Sequence, residues 1–128
     1  MGSAQVWLKM NELEKVEYIN TLFDLYKELL TEKQKSIMEK YYSYNLSLKE
    51  ISDELKISRA AVLDTIEHSI KKLNDYENKL RLHEKNQKLV ADIEKSSLKE
   101  EEKQKLIDEV LYGIWSINRK IFKSNQKN

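Results

Sequence analysis

The sequence predicts an all-α protein, with a helix-turn-helix core followed by a C-terminal helical arm. Its 128 residues include no proline and only two glycines, so β-hairpins and glycine-rich phosphate loops are disfavoured. Apolar residues recur along most of the chain at the spacing of one helix face. Charged residues make up 35% of the total, a fraction typical of long helices with solvated faces.

Two helices are predicted before the central motif. The first covers about residues 11–29. The apolar residues of its inner face, which should pack in the core, are Val16, Ile19, Leu22, Phe23, Tyr26, Leu29 and Leu30. The second helix runs from Glu32 to about Tyr42, with Ile37, Met38 and Tyr41 turned inward. Thr31 and Gln34 form a capping box at its start, because each side chain can accept a hydrogen bond from the other residue's backbone N–H.

Residues 47–73 have the pattern of a helix-turn-helix. Ser47 and Glu50 make a second capping box, which starts a short helix from Leu48 to Leu55. Ser58 is a candidate N-cap for a longer helix that begins at Arg59. The apolar positions at which two such helices pack together are occupied by Ile51, Leu55, Ile57, Val62 and Ile66. We expect Leu55, Val62 and Ile66 to be buried between them.

The turn of this motif departs from the usual pattern at one position. A glycine is common in such turns, and this chain has Lys56 there. Glycine accepts the left-handed backbone conformation freely, whereas lysine loses about 1 kcal/mol in it.

In a helix-turn-helix the first turns of the second helix enter the major groove of DNA. The side chains that would then face DNA are Ser58, Arg59, Ala60, Leu63, Asp64 and Glu67. The lysines that would reach phosphates are Lys49, Lys71 and Lys72. The alternative is a helical hairpin that binds nothing, since a fold does not fix a function.

The domain organisation predicted from these patterns has four parts. Residues 1–10 are expected to be a disordered leader or an added remnant, and residues 11–73 form the core. Residues 74–122 form the C-terminal arm, and residues 123–128 are a basic tail.

Two helical segments are predicted in the arm, and the first has two alternative forms. The helix that begins at Arg59 either continues to about residue 94 or breaks at Asn74-Asp75, and the pattern leaves both open. A last helix, from Leu98 to about Phe122, follows a third capping box that starts at Ser97.

Several function classes are disfavoured by composition. Without cysteine there is no disulfide and no thiolate metal site. His68 and His83 do not have the spacing of a zinc motif, and no nucleophile lies next to a base. We therefore expect no enzyme activity and no metal or cofactor. No apolar run is long enough to cross a bilayer, and residues 1–10 do not resemble a signal peptide, so a cytoplasmic location without membrane insertion is expected.

The sequence around the motif resembles the YlxM family of small helix-turn-helix proteins from low-GC bacteria. The resemblance covers about Leu13 to Leu82. It is carried by the run Leu30-Thr31-Glu32-Lys33-Gln34, the pair Tyr41-Tyr42, the run Ser47-Leu48-Lys49-Glu50-Ile51-Ser52-Asp53-Glu54-Leu55 and the run Ile57-Ser58-Arg59-Ala60-Ala61-Val62. YlxM proteins are similar to the promoter-reading fourth region of sigma factors, and their genes typically lie beside that of Ffh, the protein subunit of the signal recognition particle. The resemblance implies a sigma region 4-like core and a regulator or accessory factor of that pathway.

Two functions are consistent with these patterns. The first is a DNA-binding regulatory protein, with Arg59 at base edges or phosphates. The alternative is a protein-interaction factor that contacts the signal recognition particle, through Ffh or its RNA, without specific DNA binding. Residues 47–73 carry five basic and five acidic side chains, so DNA binding by the protein alone is expected to be weak. The apolar face of residues 98–122 and the seam of Leu73, Tyr76, Leu80, His83 and Val90 predict a surface of which part packs on the core of the same chain and part forms a homodimer.

Overall fold

A computed structural model of the chain describes residues 8–111. The elements of this range are helices and helical turns, and it contains no strand, which confirms the all-α prediction. The helices are α1 (Glu12–Tyr26), α2 (Glu32–Met38), α3 (Leu48–Leu55), α4 (Arg59–Leu80), α5 (Leu82–Lys95) and α6 (residues 100–111). A 3₁₀ turn, Lys27–Leu29, follows α1, and a π-helical turn, Glu39–Ser43, follows α2.

The chain divides into two compact units between Leu80 and Arg81. The sequence placed the start of the arm at residue 74, and the observed division falls later, at the end of α4. Of the predicted leader, residues 1–7 lie outside the described range. Residues 8 and 9 are helical, and Met10 packs against the core.

The core lies in the N-terminal unit, where α1, α2 and α3 all contact α4. Its buried apolar side chains are Tyr18, Ile19, Leu22, Phe23, Tyr26, Leu30, Ile37, Met38, Ile51, Val62, Ile66 and Leu73. Burial of one such leucine or isoleucine stabilises the fold by about 1.5–3 kcal/mol. Together, these side chains make α4 the element on which the other three helices pack.

Two residues predicted to be buried are exposed. Val16 is 40% exposed, because it lies near the start of α1, before the first buried residue of that helix, Tyr18. Leu29 is 51% exposed, because the 3₁₀ turn after α1 rotates successive side chains by more than an α-helix does. The change of helix type therefore carries Leu29 away from the buried face.

The predicted start of α2 is confirmed. Thr31 Oγ1 accepts from the backbone N–H of Gln34 at 3.2 Å, and the Gln34 side chain accepts from the N–H of Thr31 at 3.1 Å. The α-helix ends at Met38, earlier than the predicted Tyr42, because the backbone widens into the π-helical turn. Asn45 follows in the left-handed conformation, with φ of 54°, and redirects the chain towards α3.

The alternatives left open after Arg59 are now decided. Residues 59–95 form two helices, and the break is at Arg81, which adopts the left-handed conformation with φ of 54°. Asn74 and Asp75 lie within α4. The Asn74 side chain donates to the carbonyl of Ile70 at 3.2 Å, a contact with the preceding turn that is compatible with the helix.

The C-terminal unit has no buried residue among its described positions. The predicted capping box at Ser97 is wrong, because the helix begins at residue 100 and its first backbone bond runs from Lys103 to the carbonyl of Lys99. The hydroxyl of Ser96, the residue before Ser97, donates to the carbonyl of Ile93 at the end of α5. The Lys103 ammonium donates to the carbonyl of Glu94 at 3.0 Å and so joins α5 to α6. The rest of the predicted last helix and the basic tail lie outside the described residues.

Within residues 8–111, none of the helices combines the length and the apolar character that a bilayer crossing requires.

Candidate nucleic-acid interface

The first helix of the motif is fixed at both ends by local hydrogen bonds. At its start, Ser47 Oγ accepts from the N–H of Glu50 at 3.1 Å, and the Glu50 carboxylate accepts from the N–H of Ser47 at 3.2 Å, which confirms the second capping box. At its end, Lys56 adopts the left-handed conformation, with φ of 57° and ψ of 43°. Lys56 thus occupies the conformation that glycine usually supplies in this turn.

The turn between the two helices is closed by Ser52. Its hydroxyl donates to the carbonyl of Ile57 at 2.5 Å, and its carbonyl accepts from the N–H of Ile57 at 3.2 Å. Ser58 then caps α4, since its hydroxyl accepts from the N–H of Ala61 at 3.0 Å. The short hydroxyl side chain of Ser52 therefore holds the turn closed and helps to fix the direction in which α4 leaves it.

The inner faces of α3 and α4 pack together largely as predicted. Ile51, Val62 and Ile66 are buried, so the two helices share one apolar seam. Leu55 was predicted to be buried and is only half-buried, because it lies in the last turn of α3, at the edge of this seam.

The outer face of α4 presents the side chains that the sequence assigned to DNA. Six of them are exposed, namely Ser58, Arg59, Ala60, Leu63, Asp64 and Glu67. Helical spacing places residues 59 to 67 of this set on one side of α4, and exposed Lys71 continues that side about one turn after Glu67. Lys49 is exposed in the first turn of α3. Lys72 is half-buried and lies off this side, so the structure does not bring it together with the others.

The acidic side chains of the motif are largely engaged. Glu50 belongs to the capping box of α3. Glu54 pairs with Lys40 of the π-helical turn at 3.2 Å. The carboxylate of Asp64 lies 3.4 Å from Nδ1 of His68, which is also 2.9 Å from the carbonyl of Asp64.

The basic side chains of the motif are not engaged in this way. Among the described residues, no ion pair involves any of the five cations Lys49, Lys56, Arg59, Lys71 and Lys72. The formal balance of five cations and five acids thus understates the attraction of the motif for an anion. Of the five acids, Asp53 and Glu67 take part in neither an ion pair nor a capping box within the described part of the chain.

Sequence reasoning missed His68 as a neighbour of the recognition side chains. The sequence contained the information, because residues four apart are neighbours on one side of a helix and His68 follows Asp64 by four positions.

Three tyrosines precede the motif. The rings of Tyr41 and Tyr42 are half-buried and meet edge to face, with centroids 5.0 Å apart. Burial, together with a smaller contribution from the neighbouring Tyr41, raises the pKa of Tyr42 to about 12. Tyr44 is 62% exposed and lies three residues before the cap of α3. Tyr41 and Tyr42 thus pack against the core just before the motif, and the ring of Tyr44 lies in solvent.

No group of three histidine, aspartate or glutamate side chains within residues 8–111 is arranged to hold a metal ion.

Comparison with known proteins gives consistent matches along most of the chain. A profile of the family UPF0122, described as "Putative helix-turn-helix protein, YlxM / p13 like", matches residues 13–110. A UPF0122 protein of Mycoplasma capricolum is 42% identical over 108 residues, which cover 84% of this chain and 96% of the relative. One from Bacillus thuringiensis is 42% identical over 105 residues, 80% of this chain and 96% of the relative. One from Oceanobacillus iheyensis is 46% identical over 86 residues, 67% of this chain and 82% of the relative.

Proposed function

Because this chain belongs to the UPF0122 family of YlxM/p13-like helix-turn-helix proteins, we propose that it is a regulatory protein that binds duplex DNA through α4. The observation that carries the proposal is the set of five basic side chains of the motif that have no ion pair among the described residues. Phosphates of DNA are the ligands that such exposed cations attract.

The roles of the individual side chains follow from the docking of a helix-turn-helix. The first turns of α4 enter the major groove, so Arg59 is placed to contact a guanine edge or a phosphate. Ser58 and Ala60 lie beside it and allow close approach of the helix. Lys49 and Lys71 would contact phosphates on either side of the groove. Lys72, which lies off this side of α4, would contact only the flanking backbone.

The acidic side chains on the outer face of α4 limit the affinity for DNA. Asp64 and Glu67 are exposed beside Leu63, and each acid is repelled by the negative potential of the groove. One of them can accept a hydrogen bond from cytosine N4, but two acids next to one arginine weaken binding overall. We therefore expect weak, mostly nonspecific binding by the protein alone.

A titration with mixed-sequence duplex at several salt concentrations tests this proposal. We expect a Kd no tighter than roughly micromolar near physiological salt, with affinity that falls as salt rises. Arg59→Ala should weaken binding, whereas Lys33→Gln, which removes an exposed charge from α2, should not. Absence of binding at low salt would refute the proposal. Nanomolar binding to one sequence, lost in Arg59→Ala, would replace weak nonspecific binding with specific operator recognition.

Leu63 favours a second candidate function. An exposed leucine, 43% accessible and flanked by acids, is a feature of protein-binding helix faces more than of DNA-binding ones. The protein would then be an interaction factor that contacts the signal recognition particle, through Ffh or its RNA. A tagged pull-down with and without nuclease separates the two, because a protein partner survives nuclease treatment and a DNA-mediated one does not.

We also propose that the protein is a cytoplasmic homodimer. Cytoplasmic location suits either function, since bacterial DNA and the signal recognition particle are both found there. The dimer is supported by exposed leucines of the C-terminal unit, which a monomer would leave in solvent. These are Leu82, Leu89, Leu98, Leu106 and Leu111. A dimer would double the phosphate contacts if its two motifs lay about 34 Å apart.

A further inference from the structure

Lys56 is the one cation of the motif to which sequence reasoning gave no role. It stands between α3 and α4 with φ of 57°, a conformation that residues with a Cβ disfavour and glycine accepts. A residue held in an unfavourable conformation is a reason to look for a function of its side chain.

The fold of the turn does not require the lysine side chain. The hydrogen bonds that close the turn use the N–H of Lys56, the N–H and carbonyl of Ile57, and the carbonyl and hydroxyl of Ser52. The side chain of Lys56 is exposed, and it makes no ion pair with any residue in the described range. A cation here favours the C-terminal end of the α3 dipole, an effect that is modest at an exposed position.

The place of Lys56 in the motif suits a phosphate contact. In the docking proposed above, α3 crosses the DNA backbone and α4 enters the groove, so the turn between them lies at the edge of the groove. Lys49 lies in the first turn of α3 and Lys56 directly follows its last residue, so their Cα atoms are separated by about 10 Å along its axis. That separation is close to the width of the major groove, about 12 Å. Asp53 lies between the two lysines, on the same side of α3 as Lys49.

We propose that Lys56 contacts a DNA phosphate beside the recognition helix, and that lysine is present in the turn for that contact. The proposal rests on the proposed function, DNA binding through α4, and adds a residue to its phosphate-binding set. The backbone conformation at position 56 favours glycine, whereas binding of a phosphate favours a positively charged side chain. Stability and DNA binding should therefore respond differently to substitution of Lys56.

Substitution of Lys56 tests the proposal, because it should affect stability and binding in different directions. Lys56→Gly should leave the thermal midpoint of unfolding unchanged or raise it, since glycine accepts the left-handed conformation. The same variant should bind mixed-sequence duplex several-fold more weakly at low salt. The slope of log affinity against log salt should decrease by about 0.9, the value for one lost phosphate contact. Lys56→Arg, which keeps the charge, should retain the affinity and the slope.

Two further variants make the result decisive. Lys56→Asn removes the charge with another residue that tolerates the left-handed region, so it should reproduce the binding loss even if glycine perturbs the turn. Lys33→Gln, an exposed lysine of α2, controls for a general loss of positive charge. Unchanged affinity and slope in both uncharged Lys56 variants would overturn the role of Lys56 and leave DNA binding intact. Absence of salt-dependent binding in the unsubstituted protein would overturn both proposals.

Discussion

The hydroxyl of Tyr26, at the end of α1, donates a 2.7 Å hydrogen bond to the carboxylate of Glu77 in α4, and both side chains are buried. The neighbouring Tyr76 ring lies 5.9 Å from that of Tyr26, and its hydroxyl donates to the carbonyl of Leu29. These contacts join the end of α1 and the turn that follows it to the last part of α4.

Loss of the Tyr26 hydroxyl should destabilise the fold. Tyr26→Phe removes one donor from a buried carboxylate, and such a loss costs about 1–3 kcal/mol of unfolding free energy. Tyr76→Phe is the matched control, because its hydroxyl bonds at an exposed position and water can replace it. Chemical denaturation measures both. Equal losses for the two variants would contradict the importance of the buried pair.

Truncation of Ile66 should open a cavity between α3 and α4. Ile66 is 3% exposed, and removal of a buried isoleucine side chain to alanine costs about 2–5 kcal/mol. Leu63→Ala, on the exposed face of the same helix, should change stability by only about 0.5 kcal/mol. A loss below roughly 1 kcal/mol for Ile66→Ala would mean that α4 presents a different face to the core.

Removal of the acids on the outer face of α4 should strengthen DNA binding. The double variant Asp64→Asn, Glu67→Gln eliminates two negative charges from the proposed contact surface, so its affinity for mixed-sequence duplex should rise at low salt. Asp75→Asn, an exposed acid further along α4, is the control. If the double variant binds no better than this control, the recognition face does not approach the phosphates as proposed.

The state of assembly can be measured directly. Light scattering at micromolar concentration should give about twice the chain mass of 15.3 kDa. Leu106→Glu, which places a charge on the exposed apolar side of α6, should shift the protein towards the monomer. A monomer mass for the unsubstituted protein would exclude the proposed dimer.

Stability should fall at alkaline pH because of Tyr42. Its pKa is raised from 10.0 to about 12 by burial, so between these values the folded protein keeps a proton that the unfolded chain releases. This contribution is complete below pH 10 and is lost as pH rises towards about 12. The unfolding free energy of the natural protein should therefore fall relative to that of Tyr42→Phe as the pH rises from 9 to about 12. A difference that is constant across this range would argue against the raised pKa.

The sequence predicted those parts of the fold that local interactions determine. The capping boxes at Thr31 and Ser47 each involve residues three apart, so the pattern was enough to locate both helix starts. The box at Ser97 has the same pattern and is not used, since α6 begins at residue 100 and the neighbouring Ser96 bonds to the carbonyl of Ile93 at the end of α5. The capping-box pattern by itself is therefore not sufficient to locate a helix start.

Other features depended on contacts that are distant in sequence or on unusual backbone conformations. The break at Arg81 has no glycine or proline to mark it, so the pattern could not distinguish one helix from two. The pairing of Tyr26 with Glu77 joins residues 51 positions apart and leaves no local signal. For the candidate interface, helical spacing predicted the exposed side of α4, but not the pairing of Glu54 with Lys40, which comes from another element.

The position of α4 as the common partner of α1, α2 and α3 has a consequence for synthesis on the ribosome. Those three helices are made first, and each packs against α4, which follows them in the chain. A nascent chain that ends before Val62 therefore displays the apolar side chains of three helices without the surface that covers them. We expect the nascent chain to acquire its core late, in one step, as α4 leaves the exit tunnel.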